Sequence, residues 1–333
     1  DPVLENSFLR VEVNSDGSVS VFDKQLQREV TSGPGNCLYV YKDIPVAWDA
    51  WDIDHDYEIS GKRLTALDVR TIESGPVRKV VQARYEYEGS SIVQRYILNA
   101  SSRRLDIEND IDWHTRRTLL KAHFPVSILS REVRCDLSAG YSRRSTRVRN
   151  TFEDARFEFP AHRWVELEEP GLAVAILNDG KYGHSCNGSD ISLTLLRSPI
   201  YPDFFADEGR HRFTYSLFSH DGEDAVRVVE EAEGLNKEMI KINGKIDLGT
   251  AVIQISARNL KVLALKHSEK SGYVLRLAEV EGRRGVAKIS TALAFERCWI
   301  SNVLEDKVRE LPVIDGKVEL PYRQFGLHTL RFE

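Results

Sequence analysis

Alternation of apolar and polar residues runs through most of this 333-residue chain and constrains its fold more than any other feature. In the clearest stretch, residues 105–113, the inward positions are Leu105, Ile107, Ile111 and Trp113, and acidic residues separate them. Successive side chains of a β-strand point to opposite faces, so this pattern predicts a strand with one buried face and one acidic face. Many such strands without intervening helices favour antiparallel sandwiches.

Turn-forming residues divide the alternating stretches into separate strands. Two hairpins are predicted, 9–13 with 19–22 around Asn14–Gly17, and 83–88 with 92–98 around Gly89–Ser91. Further strands are predicted at 156–160, 172–177, 191–196, 211–219, 251–256, 262–266, 273–279, 287–290 and 326–332. Together these segments predict an all-β protein.

One stretch, residues 221–235, has the spacing of a helix. Ala225, Val228 and Ala232 would share its apolar face, and carboxylates occupy its first turn. We place a domain boundary near this helix, within residues 221–245. The expected organisation is a large double-sheet domain over residues 1–235, followed by a small β-sandwich over residues 236–333.

Charge and cysteine content exclude several classes of protein. The 46 basic and 51 acidic residues leave a net charge of -5, which predicts no broad surface for nucleic acid or anionic lipid. The four cysteines are far apart, without the spacing of a zinc module, and reduced thiols are expected. No apolar run is long enough to span a membrane, and no signal pattern is visible, so we expect a cytoplasmic protein.

The segment Trp48–Glu58 is the best candidate for a binding site. It contains two tryptophans, a tyrosine, a histidine and five carboxylates, without a basic residue. Aromatic rings contact the apolar faces of sugars and carboxylates accept from sugar hydroxyls, although a solvated strand and turn would have a similar composition. A calcium loop fits poorly, because Tyr57 replaces the turn glycine and Arg63 replaces the bidentate glutamate.

Catalytic motifs are missing from the sequence. It contains no GxSxG, HExxH, phosphate loop or GxGxxG. A carboxylate pair for glycoside hydrolysis cannot be selected among 51 acidic residues, because the pair is defined by distance in space. The remaining candidates for acid/base or metal roles are His162, His184, His211 and His220. Histidines at strand ends are more often structural than catalytic.

Taken together, several motifs resemble the C-terminal β region of α-mannosidases of glycoside hydrolase family 38, in particular its cytosolic and bacterial branch. The resemblance covers nearly the whole chain. Its motifs are Asp43-Ile44-Pro45 with Trp48-Asp49-Ala50-Trp51-Asp52, Pro160–Trp164, Leu177–His184, Leu195–Pro199, Tyr201-Pro202-Asp203, and Leu275–Glu279 with Gly282.

The resemblance implies a mutarotase-like super-sandwich followed by a smaller β-sandwich. It also implies that the nucleophilic aspartate, the acid/base and the ligands of a catalytic zinc belong to an N-terminal barrel and helical domain that this sequence does not contain. No catalytic residue and no metal ligand are therefore expected here. By position in the family, two stretches would supply the rim of the sugar site, with candidate residues Trp48, Asp49, Trp51, Asp52, Arg197, Tyr201 and Asp203.

Three functions are compatible with these observations. The first is the C-terminal region of a zinc-dependent, retaining α-mannosidase, inactive alone, with the barrel and helical domain of the same enzyme and a mannose-containing oligosaccharide as partners, and a possible homo-oligomer. The alternative is a free-standing carbohydrate-binding module that stacks sugars on Trp48, Trp51 and Tyr57. A sugar epimerase would need a facing histidine and carboxylate, and the sequence does not reveal such a pair.

Overall fold

The computed structural model describes residues 2–237, 243–244 and 252–333. It divides into two units, Asp1–Cys135 with Arg143–Lys237, and Asp136–Ser142 with Glu238–Glu333. Strands are the main secondary structure of both units, which confirms the predicted all-β class. No helix among the described residues has the length and apolar character needed to cross a membrane.

Three antiparallel sheets contain the first nineteen strands of the described chain. In chain order these are β1 (Val3–Glu5), β2 (Leu9–Val13), β3 (Val19–Asp23), β4 (Arg28–Glu29), β5 (Cys37–Lys42), β6 (Lys62–Arg63), β7 (Asp68–Ser74), β8 (Arg78–Tyr87), β9 (Ser90–Asn99), β10 (Arg104–Trp113), β11 (Thr118–Pro125), β12 (Glu132–Asp136), β13 (Tyr141–Ser145), β14 (Phe159–Pro160), β15 (Trp164–Glu169), β16 (Leu172–Asn178), β17 (Gly183–Asn187), β18 (Asp190–Leu196) and β19 (Gly209–His220). The sheet orders are β1-β2-β3-β4, β13-β12-β15-β16-β19-β10-β9-β8-β7 and β14-β17-β18-β11-β5-β6.

The nine-stranded and six-stranded sheets share one core. Strand β10 pairs with β9 and β19, and its predicted inward residues are fully buried. Phe124 of β11 in the smaller sheet meets Tyr215 of β19 in the larger sheet edge-on, with ring centroids 6.1 Å apart. The alternation thus places apolar side chains between two sheets, where burial of apolar area stabilises the fold by about 25 cal/mol per Å².

The helices differ from the sequence prediction, and the structure also contains a 3₁₀ helix, His55–Ser60, that was not predicted. The predicted helix 221–235 begins later, at Val226, and is α2 (Val226–Asn236). Gly222 has a φ of 77°, and Asp224 accepts a hydrogen bond from the amide of Val226, so turn geometry replaces the first predicted helical turn. The predicted strand 156–160 is also wrong over most of its length: Asn150 caps α1 (Thr151–Asp154), a turn follows, and only Phe159–Pro160 is a strand.

The second unit is a smaller β-sandwich. Its strands are β20 (Ile253–Ile255), β21 (Leu260–His267), β22 (Tyr273–Glu279), β23 (Gly285–Thr291), β24 (Cys298–Ser301), β25 (Lys307–Leu311), β26 (Val313–Ile314), β27 (Lys317–Tyr322) and β28 (Leu327–Phe332). They form sheets of order β20-β23-β27-β26 and β21-β22-β28-β24-β25. Residue 251 of the predicted strand 251–256 lies outside the described residues. Leu277, Ile289 and Leu330 are among the buried residues between these sheets.

His184 of β17 is fully buried and couples the stability of the first unit to pH. Its ring stacks on Phe159 at 6.2 Å, and its Nδ1 lies 3.2 Å from the carbonyl oxygen of Tyr182. Burial lowers the pKa of His184 to about 4, and the charge of Lys121 acts in the same direction, against the Tyr182 hydrogen bond. The folded state therefore keeps this imidazole neutral at pH values where an unfolded chain would protonate it.

The first unit is expected to lose stability as the pH falls from about 6.5 towards 4. In that window the unfolded chain binds a proton that folded His184 does not, which costs up to about 3 kcal/mol. Urea unfolding of His184→Gln at several pH values should give a flatter pH dependence than wild type. His114→Gln, which changes an exposed histidine, is the matched control. Equal pH slopes for His184→Gln and wild type would contradict the assignment.

Candidate functional site

Two loops leave the same edge of the six-stranded sheet. Loop A (residues 43–54) follows β5, and loop B (residues 197–208) follows β18. Both strands pair antiparallel with β11, so they run in the same direction and end on either side of it. The backbone of Arg117 joins the loops: its carbonyl accepts from the amide of Asp43 at 2.8 Å, and its amide donates to the carbonyl of Ser198 at 2.7 Å. Sheet topology therefore brings together two stretches that are about 150 residues apart in sequence.

The guanidinium group of Arg197 fixes loop A through hydrogen bonds. Its Nε donates to Oδ2 of Asp43 at 2.7 Å, and the Asp43 side chain is 2% exposed. The remaining guanidinium nitrogens donate to backbone carbonyls of loop A at Asp49, Ala50 and Asp52. A planar guanidinium can satisfy several acceptors at once, and this one fixes the course of the loop.

Carboxylates connect loop B to its surroundings. Oδ2 of Asp49 accepts from the amide of Ile200 at 2.6 Å, and Oδ1 lies 3.3 Å from the guanidinium of Arg117. Oδ2 of Asp207 accepts from the amides of Arg197 and Ser198, both at 3.0 Å. Burial raises the pKa of Asp43, while the hydrogen bond and charge of Arg197 act in the opposite direction. These loops are therefore held by charge-assisted hydrogen bonds.

Backbone strain is concentrated at these loops. Four non-glycine residues in or beside them have left-handed backbone angles, with φ between 49° and 60°: Trp48, Arg117, Ser198 and Asp207. This conformation is uncommon for residues with a β-carbon and costs about 1–3 kcal/mol each. Such strain persists where the surrounding contacts fix it, and it is frequent at functional sites.

Exposed aromatic rings cover the outer surface of both loops. Trp48 and Trp51 are 69% and 66% exposed, with their rings edge-on at 6.4 Å. In loop B, Phe204 and Phe205 are also exposed, and the guanidinium of Arg116 lies 4.1 Å and 5.1 Å from their ring centres. Exposed aromatic pairs on neighbouring loops are typical of a surface that meets a ligand or another protein surface.

The predicted site residues fall into two groups. Trp48, Trp51 and Tyr201 point outward, as do the side chains of Asp52 and Asp203, whose Oδ1 atoms accept from nearby backbone amides. Asp49 and Arg197 lie within the loops, and their polar atoms bind the protein itself. Contact of these residues with a substrate stays a prediction.

Asp43, Arg117 and Asp207 fix the two loops but are not among the predicted rim residues. Their partners are distant in sequence, and only the positions of Asp43 and Asp207 beside the aromatic motifs could have indicated them. Tyr57, the third ring of the carbohydrate-module alternative, is 5% exposed, and its hydroxyl donates to Glu158 at 2.6 Å. A stacking role for Tyr57 is therefore wrong in this structure, because the ring is buried.

The described residues do not bring metal-ligating side chains together. No group of three or more histidine, cysteine, aspartate or glutamate side chains lies together there in a way that could hold a metal ion. In loop A, the Asp54 carboxylate is already used within the protein, because its Oδ2 accepts a hydrogen bond from the amide of Val46 at 3.0 Å. The described donor sets thus do not fit the three protein ligands of a catalytic zinc.

Fold and loops together define a class: an all-β region of two sandwich units, the larger of which carries aromatic loops at one sheet edge. Residues 4–205 match the model of the glycosyl hydrolases family 38 C-terminal domain. Residues 259–330 match the family 38 C-terminal beta sandwich domain. The chain belongs to glycosyl hydrolase family 38 and corresponds to its C-terminal region, as the sequence motifs predicted.

Curated relatives agree with this family. Alpha-mannosidase G of Dictyostelium discoideum is 35% identical over 248 residues, covering 71% of this chain and 23% of that protein. Alpha-mannosidase 2C1 of Homo sapiens is 28% identical over 345 residues, covering 98% of this chain and 33% of that protein. The chain therefore spans about a quarter to a third of the length of these relatives.

A solved structure has the same fold. The crystal structure of an alpha-mannosidase from Enterococcus faecalis V583 superposes with a TM-score of 0.81 at 16% identity. The match covers 99% of this chain and 42% of the other. At this identity the likeness defines the fold, and the function has to be argued from the loops.

Proposed function

We propose that this chain is the C-terminal β region of a retaining, zinc-dependent α-mannosidase that hydrolyses terminal α-mannosides. Its role is to complete the rim of the substrate pocket and to stabilise a catalytic barrel, and it is inactive alone. The observation that carries the proposal is the pair of rigidly held loops with outward aromatic rings, Trp48 and Trp51 in loop A and Tyr201 in loop B. Family membership supports the substrate class.

Within such an enzyme the loops would act by orientation. Trp48 and Trp51 offer apolar surface to the C–H faces of a pyranose, and Asp52 and Asp203 offer acceptors to its hydroxyls. Arg197 and Asp49 hold these groups in position before the sugar arrives, which reduces the entropy lost on binding. Bulky rings at a pocket edge also exclude water from the reacting centre.

The zinc and the catalytic carboxylates are assigned to the barrel and helical domain. The described residues of this chain do not fit zinc, so no step of the reaction is routed through them. Zinc in such a barrel would polarise and orient the sugar. The exposed rings of Phe204 and Phe205 would pack against the barrel. Alternatively, a second copy of the chain would bury them.

We further propose that the enzyme is cytoplasmic. The four cysteines of the chain are free, and three of them are buried. Free thiols are typical of proteins from reducing compartments.

The isolated chain is expected to give no turnover of an aryl α-mannoside, with or without added zinc, because it lacks the acid/base, the nucleophile and the zinc ligands. Release of the aryl group, followed by absorbance, measures this. An inactive preparation must still unfold cooperatively in urea, which shows that the chain is folded. Zinc-dependent, saturable turnover would overturn the assignment of catalysis to an absent domain.

The competing function is a free-standing carbohydrate-binding module. Its supporting observation is the exposure of Trp48 and Trp51, but their rings are inclined at 82° and do not form a flat platform. A module that depends on these rings should lose all saccharide binding in Trp48→Ala.

A further inference from the structure

A cleft lies on the outer face of the six-stranded sheet, outside loops A and B. This open cleft has a volume of about 530 Å³, within the usual size range of small-molecule sites. Strand β5 contributes Tyr39 and Tyr41, β11 contributes His123, and β18 begins with Asp190. Alternate residues of these strands, such as Leu38 and Phe124, face the core. The cleft is therefore formed by the face of the sheet that does not enter the sandwich core.

A hydrogen-bonded chain fixes the floor of this cleft. The hydroxyl of Tyr41 lies 2.9 Å from Nε2 of His123, and Nδ1 of His123 lies 2.8 Å from Oδ2 of Asp190. The ring of Tyr39 meets His123 edge-on at 5.0 Å. Both nitrogens of His123 are thus occupied by protein groups, so this residue positions Tyr41 and Asp190 and has no free nitrogen for proton transfer to a ligand.

Asp190 retains capacity to accept hydrogen bonds. Its side chain is 38% exposed at the edge of the cleft. Its second oxygen, Oδ1, has no hydrogen-bond partner among the described residues, although the atom is buried. Because Oδ1 is buried, a hydroxyl in the cleft would meet the exposed part of the carboxylate, where Oδ2 can accept a second hydrogen bond beside the one from His123.

The remaining lining groups combine donors and acceptors around an aromatic surface. Asn187 of β17 offers an amide group and Glu58 offers a carboxylate, whereas the hydroxyl of Ser185 is already bonded to Ser192 and Lys121. Arg63 also lines the cleft, but its guanidinium is paired with Asp16 at 2.6 Å. With Glu58 and Asp190 present, an anionic ligand would be repelled. The chemistry favours a neutral polyhydroxylated ring.

We propose that this cleft, on the outer face of the six-stranded sheet between Tyr39 and Asp190, is a saccharide-binding site for a neutral hexopyranose. The sugar would place an apolar face against Tyr39 and donate hydroxyl hydrogens to Asp190 and Glu58. The site is separate from loops A and B and does not depend on their role in a mannosidase pocket. An open cleft with few polar contacts corresponds to a dissociation constant of about 1 mM.

Isothermal titration of the whole chain with D-mannose tests this site. Saturable binding is expected, weakened at least ~10-fold by Asp190→Asn and by Asn187→Ala, and changed less than ~2-fold by Phe152→Ala, which removes an exposed ring outside the cleft and both loops. Asn187 is exposed, so Asn187→Ala should stay folded and can test the site even if Asp190→Asn unfolds. Mannose 6-phosphate should bind more weakly than mannose.

Three results would overturn the proposal: no saturable binding up to ~50 mM mannose, binding that survives both cleft variants, or binding abolished by Trp48→Ala. The last would instead support the free-standing module that uses loop A. Failure of the cleft proposal leaves the mannosidase proposal intact, because the aryl-mannoside assay measures a different property.

Discussion

Replacement of Lys121 by alanine is expected to lower the free energy of unfolding of the first unit by about 3–5 kcal/mol. The Lys121 side chain is fully buried and forms a salt bridge with Glu158. Its Nζ also lies 3.0 Å from the hydroxyl of Tyr57 and 3.1 Å from Oγ of Ser185. Removal of the ammonium would leave the largely buried Glu158 carboxylate without its cation and open a cavity.

Urea unfolding of the Lys121 variant measures this loss, and Lys42→Ala is the matched control. Lys42 is on the adjacent strand β5 but is exposed, so its variant should lie within about 0.5 kcal/mol of wild type. The double variant Lys121→Met with Glu158→Gln should recover part of the loss, because no uncompensated charge remains. A Lys121→Ala protein as stable as the Lys42 control would contradict a buried ion pair.

Arg197→Ala is expected to have an effect of similar size, about 3–5 kcal/mol, and to free loop A. The change leaves the buried Asp43 carboxylate without its cation and three backbone carbonyls without donors. Amide hydrogen exchange should show faster exchange across residues 43–54, while strand β10 keeps its protection. Arg197→Lys should rescue little, because an ammonium cannot reproduce the planar set of donors.

The loss of unfolding free energy caused by Arg197→Ala should be smaller at acidic pH. Burial already raises the pKa of Asp43, and without Arg197 it rises further, so the folded variant would hold a proton that the unfolded chain releases as the pH increases. The variant is then least stable at neutral pH and recovers as the pH falls towards the pKa of Asp43. Asp43→Asn in the same background should remove this pH dependence. A pH-independent loss would contradict the buried ion pair.

Alternation predicted strands where one face is apolar and the other polar. Strands β2, β3 and β10 follow that rule, and the structure confirms them. Strand β5 was not predicted, because its sequence, CLYVYK, is apolar or aromatic on both faces. In β11 the buried Lys121 interrupts the pattern. The six-stranded sheet was therefore the least visible in sequence, since its outer face carries rings and a buried ion pair.

The candidate site was predictable in composition but not in geometry. The tryptophans of loop A were identified from their clustering with carboxylates. Sequence could not tell that Asp49 turns inward to the amide of Ile200, because that choice depends on a partner about 150 residues away. It also could not reveal the His123–Asp190 pair, which arises from the pairing of β11 with β18.

The proposed role of loop A in the substrate pocket is tested most directly by kcat/KM for an aryl α-mannoside, measured in the complete enzyme that contains this region. Trp51→Ala is expected to lower kcat/KM by about 10–100-fold, equivalent to about 1.4–2.7 kcal/mol of transition-state stabilisation. Phe152→Ala, which removes an exposed ring of α1 outside both loops, should leave kcat/KM within about 2-fold of wild type. Equal kcat/KM values for Trp51→Ala and wild type would contradict the claim that loop A completes the substrate pocket.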